Sequence, residues 1–263
     1  MIVTTSQRPS EETVERAVRL AAELGVVRVA REGRTIRSLQ TTTDDTEVLV
    51  VGPQDIRLHG EGEQPFYFHP SMALVRIKGL LAGGRDSLLE VSGVKPGDTV
   101  IDCTAGLCAD SLVFSWAAGA AGKVVALEAV QTVHVVVREG LKTYETGLQD
   151  ADQALRAIEA VHASCEEWLP GLPDDSADIV YFDPMFEKPV IASSSLVPLR
   201  TRAFHGPLTP ETVREAKRVA RRRVVLKDHR DSGRFEQLGF RLAKSSSSAV
   251  AYGVIDVESC RRG

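Results

Sequence analysis

Hydrophobic and polar positions change period along the chain. The opening "MIVTTS" is a short apolar run of strand type. In "PSEETVERAVRLAAELG", Val14, Ala17, Val18, Ala21 and Leu24 recur at helical spacing. Ser10 is placed to cap that helix, Glu11 and Glu12 suit its first turn, and Gly25 stops it. "EVLVVG" and "DIRLHG" return to strand period, each closed by glycine. The pattern predicts a small α/β unit over residues 1–65. A connecting segment, 66–92, follows. There Phe66, Tyr67, Phe68 and His69 lead into the helical run "PSMALVRIKGLLAGG", which Gly83 and Gly84 end.

From residue 93 to 263 strand and helix periods alternate. "DTVIDC" reads as a buried strand, "TAGLCAD" as a loop, "SLVFSWAA" as a helix and "GKVVALE" as a second strand, a βαβ unit. "EAVHASCEEWL", "ADIVYFD", "ETVREAKRVARR" and "RVVLKD" continue the alternation. "FRLAKSSSSAVAYGVIDV" reads as strand, polar turn and strand, suited to an antiparallel edge on an otherwise parallel sheet.

Composition narrows the partners. The 263 residues are 43% hydrophobic, enough for a sizeable core, and the formal net charge of −4 gives no global attraction for a polyanion. Any nucleic-acid surface must therefore be local. No apolar run nears the ~18 residues of a membrane span, and "MIVTTSQRPSEE" has neither the basic start nor the apolar stretch of a secretory signal. A cytoplasmic protein with no membrane partner is expected. Cys103, Cys108, Cys165 and Cys260 form no C-x-x-C pair and have no nearby histidine, so they are expected to be structural thiols without a metal.

In open α/β sheets ligands bind beyond the carboxyl ends of the strands. The first strand ends at Asp102, followed by Thr104, Ala105, Gly106 and Asp110. The second ends at Glu128, 22 positions after Gly106, a spacing suited to an acid that meets both hydroxyls of a ribose. "HASC" closes the next unit and Asp183 the fourth strand. "DCTAGLCAD" is not G-x-G-x-x-G, and its two acids would repel a pyrophosphate, which disfavours a nicotinamide dehydrogenase. They suit a cofactor with a cationic end and no phosphate, as in S-adenosylmethionine. Plainer readings stay open: Asp102 could satisfy loop donors, Asp110 could answer a helix dipole, and Glu128 could be a solvated strand-end acid. Likewise "YFDPMF" could be a turn stopped by proline.

The series "DCTAGLCAD", "LEA", "HASC", "DPMF" and "RRRVVLK" resembles the class I S-adenosylmethionine-dependent methyltransferases. Within them it is similar to the family that methylates a guanine exocyclic amine of bacterial 16S ribosomal RNA. The likeness covers roughly Gly93 to Lys227. Where many such enzymes carry a third glycine this chain has Cys108, and Ser164 stands where an acid often meets adenine.

The resemblance implies a Rossmann-like, seven-stranded, mostly parallel sheet. It places the cofactor against Asp102, Thr104, Ala105, Gly106, Asp110, Glu128, Ala129, Ser164, Cys165 and Asp183. It makes Asp183, Pro184 and Phe186 the catalytic set: carboxylate and carbonyl hold the amine while the ring stacks on the base. His69, Lys188, Arg200, Arg202 and Lys227 are candidate substrate contacts. Eight Lys or Arg lie between Arg214 and Arg230; with Lys188, Arg200 and Arg202 they could form a phosphate-binding rim, or be a solvated face. Small-subunit ribosomal RNA is the expected substrate. A small-molecule or protein amine, or a non-catalytic role in ribosome assembly, are the alternatives.

Overall fold

A computed structural model describes residues 1–60, 64–184, 206–243 and 249–257. The chain builds two sheets in succession. The first has five strands, β1 (Ile2–Thr5), β2 (Val27–Arg28), β3 (Val48–Val51), β4 (Ile56–His59) and β5 (Phe66–Tyr67), in the order β2-β1-β3-β4-β5. β1 is parallel to β2 and β3, and β3, β4 and β5 pair antiparallel.

Helix α1 (Glu11–Leu24) starts where the sequence places it: Ser10 Oγ accepts the Thr13 N–H at 3.2 Å, and Gly25 ends it at φ 65°. Its buried face is turned a little from the expected one, with Ala17 and Ala21 buried and Leu24 against the core as expected. Thr13, Ala17, Leu20 and Ala21 point inward, while Val18 is 51% exposed. Both series have helical spacing, and the one that buries the larger Leu20 prevails. A second helix, α2 (Ile36–Thr43), had no clear apolar stripe in the sequence and is held by a Thr35 cap.

The connecting segment contributes α3 (Ser71–Leu81) and α4 (Ser87–Ser92). The larger sheet then forms from β6 (Thr99–Asp102), β7 (Lys123–Glu128), β8 (Ile158–His162), β9 (Ala177–Phe182), β10 (Ala220–His229), β11 (Arg241–Leu242) and β12 (Val250–Asp256). Their order is β11-β12-β10-β9-β6-β7-β8. The five central and far strands are parallel; β12 is antiparallel to β10 and β11 to β12, the expected edge hairpin. Helices α5 (Ala109–Ala118), α6 (Gln131–Thr143), α7 (Gln149–Ala157), α8 (Cys165–Trp168), α9 (Pro210–Val219) and α10 (Arg234–Gln237) cover it.

Strands buried on both faces explain the continuous apolar runs. Val100, Val124, Ile179 and Val225 face α5 and α6, and that core continues without a break into Phe66, Phe68, Ile77, Leu49 and Leu20 of the N-terminal part. Ile101, Val125, Val180, Val224 and Leu226 face Val213, Ala216 and Val219 of α9. Two devices fasten the first sheet to α6. The Phe68 ring lies on Gly140, where an added Cβ would overlap it. Buried Glu139 receives Arg16 Nε at 2.8 Å and Arg19 Nη2 at 3.3 Å from α1, with Arg138 and Lys142 beside it. Burial alone would raise this carboxyl; Arg16 and the other cations bring it down to about 2.

Candidate active site

The chain leaves β6 for β7 on one side and returns to β9 on the other, so the crevice of this sheet opens between β6 and β9. Asp102 pairs in register with Ala126 and Tyr181. The loop after β6 is bound to both neighbours: Cys103 N–H reaches the Tyr181 carbonyl at 2.9 Å, and Ala105 N–H the Leu127 carbonyl at 3.0 Å. The Asp183 N–H donates to Thr104 Oγ1 at 2.5 Å. Gly106 (φ 49°) and Cys108 (φ 55°) are both left-handed. Cys108 thus keeps the backbone that a glycine would adopt there, at a strain of about 1–2 kcal/mol.

The acids differ in what they face. Asp102 turns inward: its Oδ1 takes the Thr104 N–H at 3.1 Å and its Oδ2 the Ser111 hydroxyl at 2.5 Å. Burial lifts its carboxyl to about 7. Asp110 accepts Arg76 Nη1 on Oδ1, and on Oδ2 both the Tyr181 hydroxyl at 2.7 Å and Lys227 Nζ at 2.9 Å. Burial opposes its charge, but Lys227 and Arg76 hold it well below the usual carboxylate range. Lys227 Nζ also reaches Asp183 Oδ2 at 2.7 Å. Burial would lower this ammonium; Asp110 and Asp183 keep it well above the ordinary lysine range. Asp183 is half-buried beside Pro184, and its carboxyl is lifted by burial to about 6 despite Lys227.

Across β7 the polar groups form a second lip. Glu128 accepts the Val130 N–H at 2.8 Å, with the Gly106 and Ala129 N–H groups close by, and burial raises its carboxyl. His162 Nε2 lies 3.1 Å from the Ala129 carbonyl, and Ala163 N–H donates to the Glu128 carbonyl at 3.2 Å. Ser164 caps α8, and Cys165 is buried beneath it against Cys103, whose thiol burial holds well above its ordinary range. The crevice is therefore edged by the loop amides after β6 and the half-buried carboxyls of Glu128 and Asp183, with no glycine-rich phosphate turn.

The profile of a family described as "Putative SAM-dependent methyltransferase" matches residues 35–241. The chain belongs to the SAM-dependent methyltransferases. Its cofactor is S-adenosylmethionine, and a crevice that offers the Glu128 and Asp183 carboxyls without a phosphate turn fits a ligand that is cationic and carries no phosphate. It is 41% identical over 254 residues to "Uncharacterized protein YpiP" of Bacillus subtilis, covering 97% of this chain and 98% of that one. Over 150 residues it is 30% identical to ribosomal RNA small subunit methyltransferase J of Thioalkalivibrio sulfidiphilus, covering 54% of this chain and 56% of that protein. Its fold is that of the SAM-dependent methyltransferase NGO1261 from Neisseria gonorrhoeae, with a TM-score of 0.60 at 18% identity over 97% of this chain and 96% of that one.

Within this methyltransferase the crevice gathers Asp102, Thr104, Ala105, Gly106, Asp110, Asp183, Pro184 and Lys227 along β6, β9 and β10, and Glu128, Ala129, Ser164 and Cys165 along β7 and β8. Phe186, Lys188, Arg200 and Arg202 lie outside the described residues. His69 stands before α3, its Nδ1 3.2 Å from Ser71 Oγ and its ring 5.3 Å from Tyr67. Phe66 and Phe68 are core.

One expectation is corrected. Arg218, Arg221, Arg222 and Arg223 do not join a rim around the crevice. They lie at the end of α9 and the start of β10, the opposite edge of a parallel sheet, and each is paired with acid: Arg218 with Asp174 and Glu215, Arg221 and Arg222 with Asp178, Arg222 with Asp98, Arg223 with Asp256. Sequence reasoning missed Arg76, Tyr181 and Tyr252 as neighbours of the site. Arg76 had a signal: one cation next to Ile77 and three positions from Ala73, on the face that α3 buries.

Proposed function

We propose that this methyltransferase acts on an exocyclic amine of a nucleic-acid base, guanine N2 in small-subunit ribosomal RNA fitting best. One observation carries the reading: Asp183 follows β9 at the crevice, its backbone tied to Thr104 and one carboxylate oxygen clasped by Lys227. Bound S-adenosylmethionine supplies a methyl group already activated by a sulfonium. The chain's own residues must then orient a weak nucleophile. An aromatic amine has its lone pair conjugated into the ring, so acceptors that hold its N–H groups turn the lone pair toward the methyl.

Asp183 Oδ1 and the Pro184 carbonyl are those acceptors. The rate gain is mainly positional, and the proton of the methylated nitrogen leaves afterwards, with Asp183 as its nearest base. Phe186 is assigned to stacking from the sequence alone. Glu128 is assigned to the ribose hydroxyls, Ser164 and Cys165 to the adenine side, and Asp102, Thr104, Ala105, Gly106 and Ala129 to the loops that seat the cofactor. Support for RNA comes from the 30% identical relative, named for a small-subunit ribosomal RNA activity.

A small-molecule or protein amine is the second reading. It is favoured by the arginines of β10 being spent at the far edge. The test is transfer of labelled methyl into small-subunit RNA or particles from cells lacking this protein. Incorporation into one guanine is expected. If no RNA form accepts methyl while a small amine does, the second reading stands.

A further inference from the structure

Five side chains of alternating charge run from α4 into the crevice: Asp86, Arg76, Asp110, Lys227 and Asp183. Asp86 caps α4 and takes Arg76 Nε at 2.7 Å and Nη2 at 3.0 Å. Arg76 passes to Asp110 Oδ1, Asp110 Oδ2 to Lys227 at 2.9 Å, and Lys227 to Asp183 Oδ2 at 2.7 Å. Five separate elements each supply one link, so no local turn or helix-surface pairing produces the series.

We propose that Lys227 is the positioning residue for Asp183, held from behind by Asp110 and Arg76, and that it fixes the carboxylate in its charged form with Oδ1 turned to the substrate amine. This rests on the assignment of Asp183 above. An ammonium has three N–H bonds, and two of them are spent on Asp110 and Asp183, which leaves Lys227 poorly suited to a substrate phosphate between two acids. No described residue takes Asp183 Oδ1.

The surroundings explain why the lysine is needed. Facing Asp183 and Lys227 are Asp110 from α5, Asp102 from β6, Tyr181 from β9 and Tyr252 from β12, with Arg76 of α3 behind Asp110. Asp228 on β10 is buried and paired with Arg234 at 2.9 Å. Among the described residues, Asp183 without Lys227 would meet only burial and neighbouring acids. It would keep its proton near neutrality and offer a donor where the amine needs an acceptor.

The experiment compares the whole protein with Lys227→Met and Lys227→Arg in two readouts. The first is the titration of Asp183 by carbon NMR of carboxyl-labelled aspartate, assigned with Asp183→Asn; it needs no substrate. The second is kcat against pH for methyl transfer to small-subunit RNA. Lys227→Met should move the Asp183 titration up by about one to three pH units. It should lower kcat at pH 7 by about tenfold or more, recover in alkali, and leave the KM for S-adenosylmethionine within about twofold. Lys227→Arg should restore most of both.

An unmoved titration, or a pH-independent loss confined to the KM for RNA, overturns the proposal. If Lys227→Met does not fold, Arg76→Met decides: a smaller upward move of the same titration supports the proposal, and none overturns it. Failure of every RNA to accept methyl overturns the substrate reading alone, because the titration stands or falls without it.

Discussion

At its start β10 carries Arg221, Arg222 and Arg223; four residues after Arg223 comes Lys227. All are cations on one buried strand, and all meet aspartates. The arginines stand at the edge where parallel strands begin, and their acids (Asp98, Asp178, Asp256) sit at that same edge. Lys227 stands at the edge where the strands end, and one of its acids, Asp183, has an oxygen that no described residue takes. A sheet's polarity, not the kind of charge, separates the braced edge from the crevice.

The sharpest way to break this contrast is at Asp183. Asp183→Ala should lower kcat by about 10²–10³-fold, the cost of losing a preorganised contact to the reacting group, with S-adenosylmethionine affinity by calorimetry changed only a few-fold. A change in turnover within about twofold would mean that the crevice end is as passive as the other. The acid limb of kcat should fall near pH 6, where Asp183 takes up its proton and stops accepting from the amine. The sign for stability is opposite. A carboxyl raised above its unfolded value favours folding below that value and loses the contribution as pH rises through about 6. Lost turnover at pH 5.5 with a melting temperature no lower than at pH 7 would separate the two.

At the other end, Arg222→Ala should cost stability and spare chemistry. It strips a guanidinium from Asp98, Asp178 and the Gly93 carbonyl. The loss should be about 2 kcal/mol, less than for a fully buried pair because the side chain keeps some exposure. Denaturant melts would measure it, with kcat per folded molecule unchanged. Glu128→Ala should weaken S-adenosylmethionine by about tenfold through a lost charged hydrogen bond, read by calorimetry. Smallest of all, Arg221→Ala removes a half-exposed pair with Asp178. It should change stability by less than about 0.5 kcal/mol and leave the salt dependence of RNA binding as it was; a flattened salt slope would put that edge back in contact with RNA.

Much of the sheet was legible because period and punctuation agree. "DTVIDC", "GKVVALE" and "ADIVYFD" each fall from an apolar run into an acid at the strand end, and those acids mark the crevice. The edge hairpin followed from the polar "SSSS" between two strands. What stayed hidden depends on distance in sequence. Arg221, Arg222 and Arg223 look like any basic cluster until β10 acquires a direction, and their pairs with Asp98 and Asp256 span long stretches of chain. Asp110 looked like an acid open to the cofactor because neither Arg76 nor Tyr181 announces its reach. The face of α1 was ambiguous for a different reason: two adjacent stripes share the helical period, and only packing chooses between them.

The contact of Phe68 with Gly140 has a consequence for how this chain can vary. Glycine inside α6 weakens the helix by roughly 1 kcal/mol relative to alanine, and what it gains is a seat for a ring from a segment 72 positions earlier in the chain. Any side chain at 140 would evict the ring, and a smaller residue at 68 would leave the seat empty. The two positions are therefore heritable only as a pair. A descendant that changes one must pass through a poorly packed intermediate or change the other in the same step, so drift across this joint should be slower than across either surface that it joins.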